Sequence, residues 1–283
     1  MERPPVIVAV LAHNEERRIA RCLGSLPLGD PRISVHAIVN GSHDRTADIA
    51  RGFAGVTVHD YAEGGKSRSW NRFVLDTPGL AGQCFVFVDG DAQVLPGSVE
   101  ALAATLAANP DANAAAGMPC NGRRAEAYRQ QMIAGHGLFG DLYALSGSFV
   151  ERMRAKAIRL PDDLVGDDGL ICAMAKTDLG NEDDWRDERV VPCLEAGFLC
   201  EPASLLQPAT LALQYRRMVS YSVRHFQNRI ISAIMRKEGP AGLPRRLAAL
   251  YPGWLPGLAP RRDPMWWWFD RMALARMARA AVS

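Results

Sequence analysis

Two aspartates spaced two apart, Asp89 and Asp91, close a run of four apolar residues, Phe85 to Val88, in the segment FVFVDGDAQ. Carboxylates at i and i+2 on the exit of a buried strand can share one hard divalent cation and leave coordination positions for diphosphate oxygens. That is how charge on a departing nucleotide is neutralised. Alone, such a pair also serves as a helix cap beside a solvated side chain; its place directly after the apolar run favours the metal. Three more polar clusters follow apolar runs: His13, Asn14 and Glu15 after VIVAVLA, Asn40 to Asp44 in IVNGSHDRT, and Glu63 to Lys66 leading into KSRSWN. In the second, Gly41 permits close backbone approach and Ser42 or Asp44 suits an N-cap, while the free amides of a first helical turn suit an anion or a base edge. In the third, Lys66 can reach a phosphate as a point charge. Taken singly, both segments also read as ordinary turns and caps. A second acidic pair, Asp167 and Asp168 in LVGDDGL, supplies a general base for a hydroxyl or a cap for a helix over Gly169–Lys176, and the two roles are compatible.

These clusters need elements that hold them together. Val6–Leu11, Ser34–Val39, Val56–His59 and Cys84–Val88 are near-continuous apolar runs of the kind buried on both faces of a parallel sheet. Helical spacing over Glu15–Ser25, Thr46–Phe53, Lys66–Leu75 and Pro96–Ala108 completes a βαβα order. The order predicts an α/β fold with an open, mostly parallel, doubly wound sheet carrying helices on both faces. Ligands are then expected beyond the carboxyl ends of the strands, on the rim that carries all four clusters. Further on, the spacing predicts a strand around Arg189–Leu199 and an amphipathic helix over 211–236 with Tyr215, Val219, Ser222, Phe226, Ile230 and Ile234 near one face. The Pro- and Gly-rich stretch 239–264 reads as a linker.

Over residues 6–175 the order and spacing of these motifs resemble the family 2 glycosyltransferases of GT-A fold. VAVLAHNEERRIARCLGSL is similar to that family's opening strand and helix, IVNGSHDRT to its DDGSxDxT turn, GGKSRSWN to its GKxxAxN segment, VDGDA to its DxD and GDDGL to its EDxxL. QYRRM, 214–218, is similar to the QxxRW helix motif of some lipid- and polymer-directed members. The resemblance implies an inverting, metal-dependent hexosyltransferase using a nucleoside diphosphate sugar, UDP-linked as the first choice, with Mn²⁺ or Mg²⁺. It implies nucleotide-sugar binding by Ala12, His13, Asn14, Glu15, Asn40, Ser42, Asp44, Gly65, Lys66, Asn71, Asp89 and Gly90, and metal ligation by Asp91 with Asp89. Asp168 is the implied base with Asp167 as its substitute, and Tyr143, Ser146, Gln214 and Arg217 fall on the acceptor side. The chain departs from the pattern at Val39 and Asn40, where carboxylates are usual, at Met218 for the Trp, and at Asp167 for the Glu. An Asn carbonyl can still accept the imide N–H of uracil, although its amide also suits another base. His136 and His225 are further metal-ligand candidates that read better as structural. The competing classes are a nucleotidyltransferase, which would carry a basic Gly-rich loop after the first strand, and a non-catalytic binder of sugar nucleotides. No GxGxxG follows any strand, which argues against a nicotinamide enzyme.

The division expected is a catalytic domain over 1–210, with a nucleotide-sugar half (1–120) and an acceptor half (121–210), then a basic helical extension over 211–283. Charge follows the division: residues 1–213 hold 20 Lys and Arg against 28 Asp and Glu, whereas 214–283 hold 13 against 3. In the tail MWWWFDRMALARMARAAVS, a helix would gather Trp266, Trp267, Leu274 and Met277 opposite Arg271, Arg276 and Arg279, interrupted by Asp270. Such a helix suits an anionic membrane surface through 264–283 or packing on the catalytic domain or a second subunit. Six cysteines without a CxxC pair read as buried thiols in a reducing compartment. The first apolar run is too short for a secretory leader, and no stretch approaches the ~18 apolar residues of a membrane span. The expected setting is cytoplasmic, with a glycan, lipid-linked or small-molecule acceptor, no nucleic-acid partner, and a homodimer as a further option.

Overall fold

All seven residues of β1 (Val6–Ala12) are buried, and their side chains alternate between two cores. Ile7, Ala9 and Leu11 join Phe85 and Phe87 on one face, and Val6, Val8 and Val10 join Val86 and Val88 on the other. A strand covered on both faces has no polar side to show, which is why these runs are continuous rather than alternating. The structure is a computed structural model and describes residues 5–200 and 208–282.

Strands β1, β2 (Ile33–Asn40), β3 (Val56–Tyr61) and β4 (Cys84–Asp89) pair in parallel in the order β3-β2-β1-β4. Helices α1 (Ile19–Gly24), α2 (Thr46–Arg51) and α3 (Lys66–Val74) connect them. The chain leaves β1 toward β2 on one side and returns to β4 on the other. The topological switch point, where open α/β sheets bind ligands, therefore lies beyond the carboxyl ends of β1 and β4.

The second half adds β5 (Ala92–Val94), α4 (Ser98–Ala108), β6 (Ala114–Pro119), α5 (Ala125–Gly135), β7 (Leu142–Ser146), α6 (Gly147–Ala155), α7 (Asp167–Lys176) and β8 (Val190–Cys200). The eight strands form one sheet, β3-β2-β1-β4-β7-β6-β8-β5, in which β7 and β5 run antiparallel to their neighbours. The mostly parallel α/β sheet expected from the pattern is present. The direction of β7 governs the site. It brings the loop before β7 to the carboxyl end of β4, where Asp89 N donates to Asp141 O at 3.3 Å, and it sends Ser146 to the opposite rim, paired with Cys84.

Helices α8 (Pro208–Lys237), α9 (Tyr251–Trp254) and α10 (Pro264–Ala280) complete the chain. The division expected at 210/211 falls inside α8, and Phe226 and Ile230 of α8 share one core with Phe73 and Phe149. Residues 239–264 do not form the linker that their Pro and Gly content predicted. They fold into short 3₁₀ turns and α9, with Leu247, Ala248, Tyr251 and Leu258 buried. Asp163 holds the turn by accepting from Leu247 N at 2.7 Å and Ala248 N at 2.9 Å, and Gln227 of α8 donates to Tyr251 Oη at 2.9 Å.

The tail helix packs on the protein. Ala273 and Met277 of α10 are buried in the core that includes α8, with Leu274 packed against it, so the C-terminal part of the apolar stripe is spent internally while Trp267 is not. Asp270, an interruption in the sequence pattern, is fully buried and accepts from Arg261 N, Nε and Nη2 at 2.8, 2.9 and 2.6 Å. Removing one partner of a buried pair typically costs about 3–5 kcal/mol, and the partly exposed Arg261 places this one at the low end. Met265, Trp267 and Trp268 remain outward.

Candidate active site

Close backbone approach brings the strand exits together. Gly90 sits where a Cβ would come within 2.8 Å of Ala12 Cβ, so only glycine lets the β4 exit pass the end of β1. Gly41 has φ +59°, and a Cβ there would lie 2.6 Å from Gly64 Cα, which locks the β2 exit against the β3 exit. Asn40 is buried between them. Its Nδ2 donates to Ala12 O at 3.0 Å and its Oδ1 accepts from Gly65 N at 3.3 Å, leaving one carbonyl lone pair. His13 Nδ1 lies 2.7 Å from Asn40 O, an atom that only accepts, so Nδ1 carries the proton and Nε2 accepts from Asn14 Nδ2 at 3.0 Å. Asn14, at φ +55°, also donates its N–H to Ser42 Oγ and accepts from His43 N. Asp44 accepts from Glu16 N and from both Thr46 N and Oγ1. Ser42 and Asp44 thus knit the first two exits together.

Beside this frame lies the acidic centre. Asp89, Asp91 and Asp141 each present a carboxylate oxygen within 4.8 Å of the others. Lys66 Nζ sits between Asp89 Oδ1 at 2.7 Å and Asp167 Oδ1 at 3.2 Å. Burial opposes the lysine's charge, but Asp167 and Asp89 outweigh it and hold the ammonium well above the usual lysine range. Burial, with Asp141 and Asp167, raises the Asp89 carboxyl well above its usual range despite Lys66. Asp141 is raised by burial and by Asp91, against a hydrogen bond from Cys200 Sγ at 2.8 Å. Glu15 is pushed up to about 7 by burial, with Arg18 pulling it down and Asp91 adding to the rise. Arg18 Nη1 also reaches Asp91 Oδ2 at 3.4 Å. Five carboxyls around two cations, Lys66 and Arg18, make a centre in need of positive charge.

The second acidic pair opens α7. Gly166 takes φ +82°, and a Cβ there would meet the Arg224 guanidinium at 2.6 Å. Arg224 of α8 then donates from Nη2 to Asp168 Oδ1 at 2.8 Å. The Asp168 side chain is 19% exposed, while Asp167 is 3% exposed and its Oδ2 has no hydrogen-bond partner. Gly140 lies between the two centres: a Cβ on it would be 3.7 Å from Asp89 Oδ2 and 3.8 Å from Asp168 Cβ.

An open cleft of about 710 Å³ collects Leu11, His13, Glu15 and Asn40 with Gly65, Lys66, Asp89, Gly90 and Asp91. Arg216 and Ser220 of α8 and Arg276 of α10 line it as well. Several residues expected in the site stand elsewhere. Asn71 is buried, bonding Leu160 O and Leu160 N at 2.8 and 3.0 Å, and so ties α3 to the segment before α7. Tyr143 is fully buried, stacked on Phe87 at 4.8 Å, and accepts from Trp70 Nε1 at 3.2 Å, which removes it from an acceptor surface. Ser146 caps α6 on the opposite rim, accepting from Phe149 N. Gln214 and Arg217 are partly exposed on α8, where Arg216 rather than Arg217 lines the cleft. Among the described residues neither histidine candidate joins the carboxylates: His136 Nδ1 donates to Val190 O at 2.7 Å, and His225 packs on Phe226. Asp141, Arg18, Arg224, Arg216 and Arg276 were not expected. Only Arg18 carried a local signal, standing one turn after Glu15.

A parallel α/β half ending in an acidic, amide-lined cleft at its switch point, with a mixed second half and C-terminal helices, defines a GT-A glycosyltransferase. Comparison with known proteins gives the family. The chain belongs to glycosyl transferase family 2, whose model matches residues 7–174. No curated protein matches its sequence. Among solved structures it is similar in fold to a mannosyltransferase from Pyrobaculum calidifontis in complex with GDP-Man and Mn²⁺, at TM-score 0.61 and 22% identity over 99% of this chain and 76% of that one. It is also similar to glucosyl-3-phosphoglycerate synthase from Mycobacterium tuberculosis in complex with Mn²⁺, UDP-glucose and phosphoglyceric acid. There the TM-score is 0.56 and the identity 20%, over 84% of this chain and 80% of that one.

Proposed function

We propose that this glycosyltransferase takes a nucleoside diphosphate sugar, UDP-linked in the first instance, and moves the sugar with inversion to an acceptor hydroxyl on a glycan, a lipid-linked intermediate or a small molecule. The observation that carries the reading is the cluster of Asp89, Asp91 and Asp141, the first two of which line a cleft with His13, Asn40 and Gly65. An all-oxygen donor set suits Mn²⁺ or Mg²⁺, and the upward-shifted Asp89 and Asp141 fit a site that a cation would relieve. Bound there, the ion would neutralise charge on the departing diphosphate. The mannosyltransferase and the synthase were each solved with Mn²⁺ and a nucleoside diphosphate sugar, which supports the same ligand classes here.

Inversion needs one base on the acceptor, opposite the leaving group. Asp168 suits this better than Asp167, because it is the more exposed of the pair and Arg224 holds it in place, whereas Asp167 is committed to Lys66. The acceptor proton passes to an Asp168 oxygen as the acceptor oxygen bonds to the sugar. The remaining lone pair of Asn40 Oδ1 supports uracil through its imide N–H.

A thermal-shift screen of UDP, GDP, CMP and dTDP with and without Mn²⁺ tests the donor. A ligand at a hundred times its Kd adds about 2.7 kcal/mol, which is a rise of roughly 5 °C in a protein of this size. UDP with Mn²⁺ is expected to give that rise, and UDP alone little. Unchanged Tm with every nucleotide in the presence of Mn²⁺ would remove the donor reading.

No helix among the described residues is long and apolar enough to cross a membrane. We infer that the outward Met265, Trp267 and Trp268, with Arg262 and Arg271 nearby in sequence, rest on an anionic lipid surface. Sedimentation with phosphatidylglycerol vesicles should pull down the wild type and release a Trp267→Ala/Trp268→Ala variant. Equal pelleting of the two, or no pelleting of the wild type, counts against lipid.

A further inference from the structure

The two arginines that α8 and α10 bring to the cleft differ from every other cation that reaches it. Lys66 is divided between Asp89 and Asp167, Arg18 between Glu15 and Asp91, and Arg224 is bound to Asp168. Arg216 and Arg276 have no carboxylate partner among the described residues. Arg276 Nη1 donates only to Ser220 Oγ, at 3.4 Å, one turn along α8 from Arg216. Two elements thus bring guanidinium groups without a carboxylate partner among the described residues into the cleft that Asp89 and Asp91 also line. That cleft is the open volume that a polyanion held by a cation on the acidic side would occupy.

We infer that Arg216 and Arg276 form the second wall of the diphosphate site, so that α8 and α10 are part of the donor site. This rests on the nucleoside diphosphate reading above. Charge balance requires such a wall. Lys66, Arg18 and a single divalent ion at most offset Asp89, Asp91, Asp141 and Asp167, and a diphosphate brings further negative charge into the cleft. Guanidinium groups answer it with paired N–H donors matched to phosphate oxygens. Their contribution grows along the reaction. As the bond from the anomeric carbon to the β-phosphate oxygen breaks, its electron pair stays on that oxygen, and the leaving group gains one negative charge. A contact that strengthens as charge develops lowers the barrier more than it tightens the ground state. The position of Arg276 depends on its neighbour Met277, buried against the core, and on the Asp270–Arg261 pair that seats α10.

Calorimetric titration of UDP in saturating Mn²⁺, on the wild type, Arg216→Gln, Arg276→Gln and the double variant, tests this. A charge-assisted contact is worth about tenfold or more in affinity, so each single variant should weaken UDP by about that factor and the double variant by more. Both side chains are exposed, so Mn²⁺ affinity and the Tm of the ligand-free protein should not change. Arg276→Lys, which keeps the charge, should recover part of the loss. UDP affinity within twofold of wild type in the double variant would overturn the arginine wall while leaving the donor reading intact. A wild type that binds Mn²⁺ but neither UDP nor GDP would overturn both.

Discussion

Asp91→Ala is expected to abolish Mn²⁺-dependent UDP binding and to lower sugar transfer by about 10³-fold, the scale on which one electrostatic contact to a leaving group acts. Among the three clustered carboxylates Asp91 is the least committed: Asp89 is held by Lys66 at 2.7 Å and Asp141 by Cys200 at 2.8 Å, while the nearest cation to Asp91 is Arg18 at 3.4 Å. It is therefore the carboxylate freest to ligate. Its loss leaves only Asp89 and Asp141, each raised by burial and each already engaged, by Lys66 and by Cys200. The same substitution removes one of three mutually repelling charges, so the ligand-free protein should be no less stable than wild type. Loss of binding with an unchanged or higher Tm is the signature of a ligand; a large fall in Tm would show a structural carboxylate instead. Retention of more than a tenth of the wild-type rate at saturating Mn²⁺ would remove Asp91 from the metal site.

Asp168→Asn is expected to lower kcat by about 10²–10⁴-fold, the usual contribution of a positioned general base, while UDP affinity stays within about twofold. Asparagine keeps an oxygen for the Arg224 Nη2 hydrogen bond, so α7 and α8 stay joined and the loss reports proton transfer. Asp167→Asn makes the contrast. It removes charge from a buried carboxylate 3.2 Å from Lys66, so its effect should fall on stability and on Lys66 more than on kcat alone. If instead Asp167→Asn abolished turnover and Asp168→Asn spared it, the two roles would be exchanged.

The legible part of the site consists of strand exits. VIVAVLA, IVN and FVFVD each end an apolar run with polar residues, and parallel strands put all such exits on one rim, so His13, Asn40, Lys66 and Asp89 meet in the cleft as their spacing implied. Gly41 was legible as a point of close backbone approach, whereas the crowding that requires Gly90 against Ala12 shows only in the structure. The acceptor-side places that the resemblance implied depend on a strand direction that no local pattern gives. Tyr143 and Ser146 lie on β7, whose reversal places one in the core and the other on the far rim, and the same reversal delivers Asp141, which no local pattern singled out.

The C-terminal region shows the same limit in packing. Composition marked 239–264 as a linker, yet the carboxylate of Asp163 and the amide of Gln227 supply the hydrogen bonds that let Leu247 and Tyr251 be buried there. Amphipathic spacing located α8 and α10 and most of the buried side of α8, but it grouped the outward Tyr215 and Trp267 with buried residues and said nothing of which partner covers either helix. Local order in the sequence, through burial on two faces and exits at the switch point, determined the α/β class and the strand-exit side of the cleft. Only the tertiary structure decided that Asp141 meets Asp89 and Asp91, that Arg224 pairs with Asp168, and that Arg216 and Arg276 line one cleft. Each joins residues whose sequence separation leaves no local trace, and their meeting depends on strand direction and helix docking.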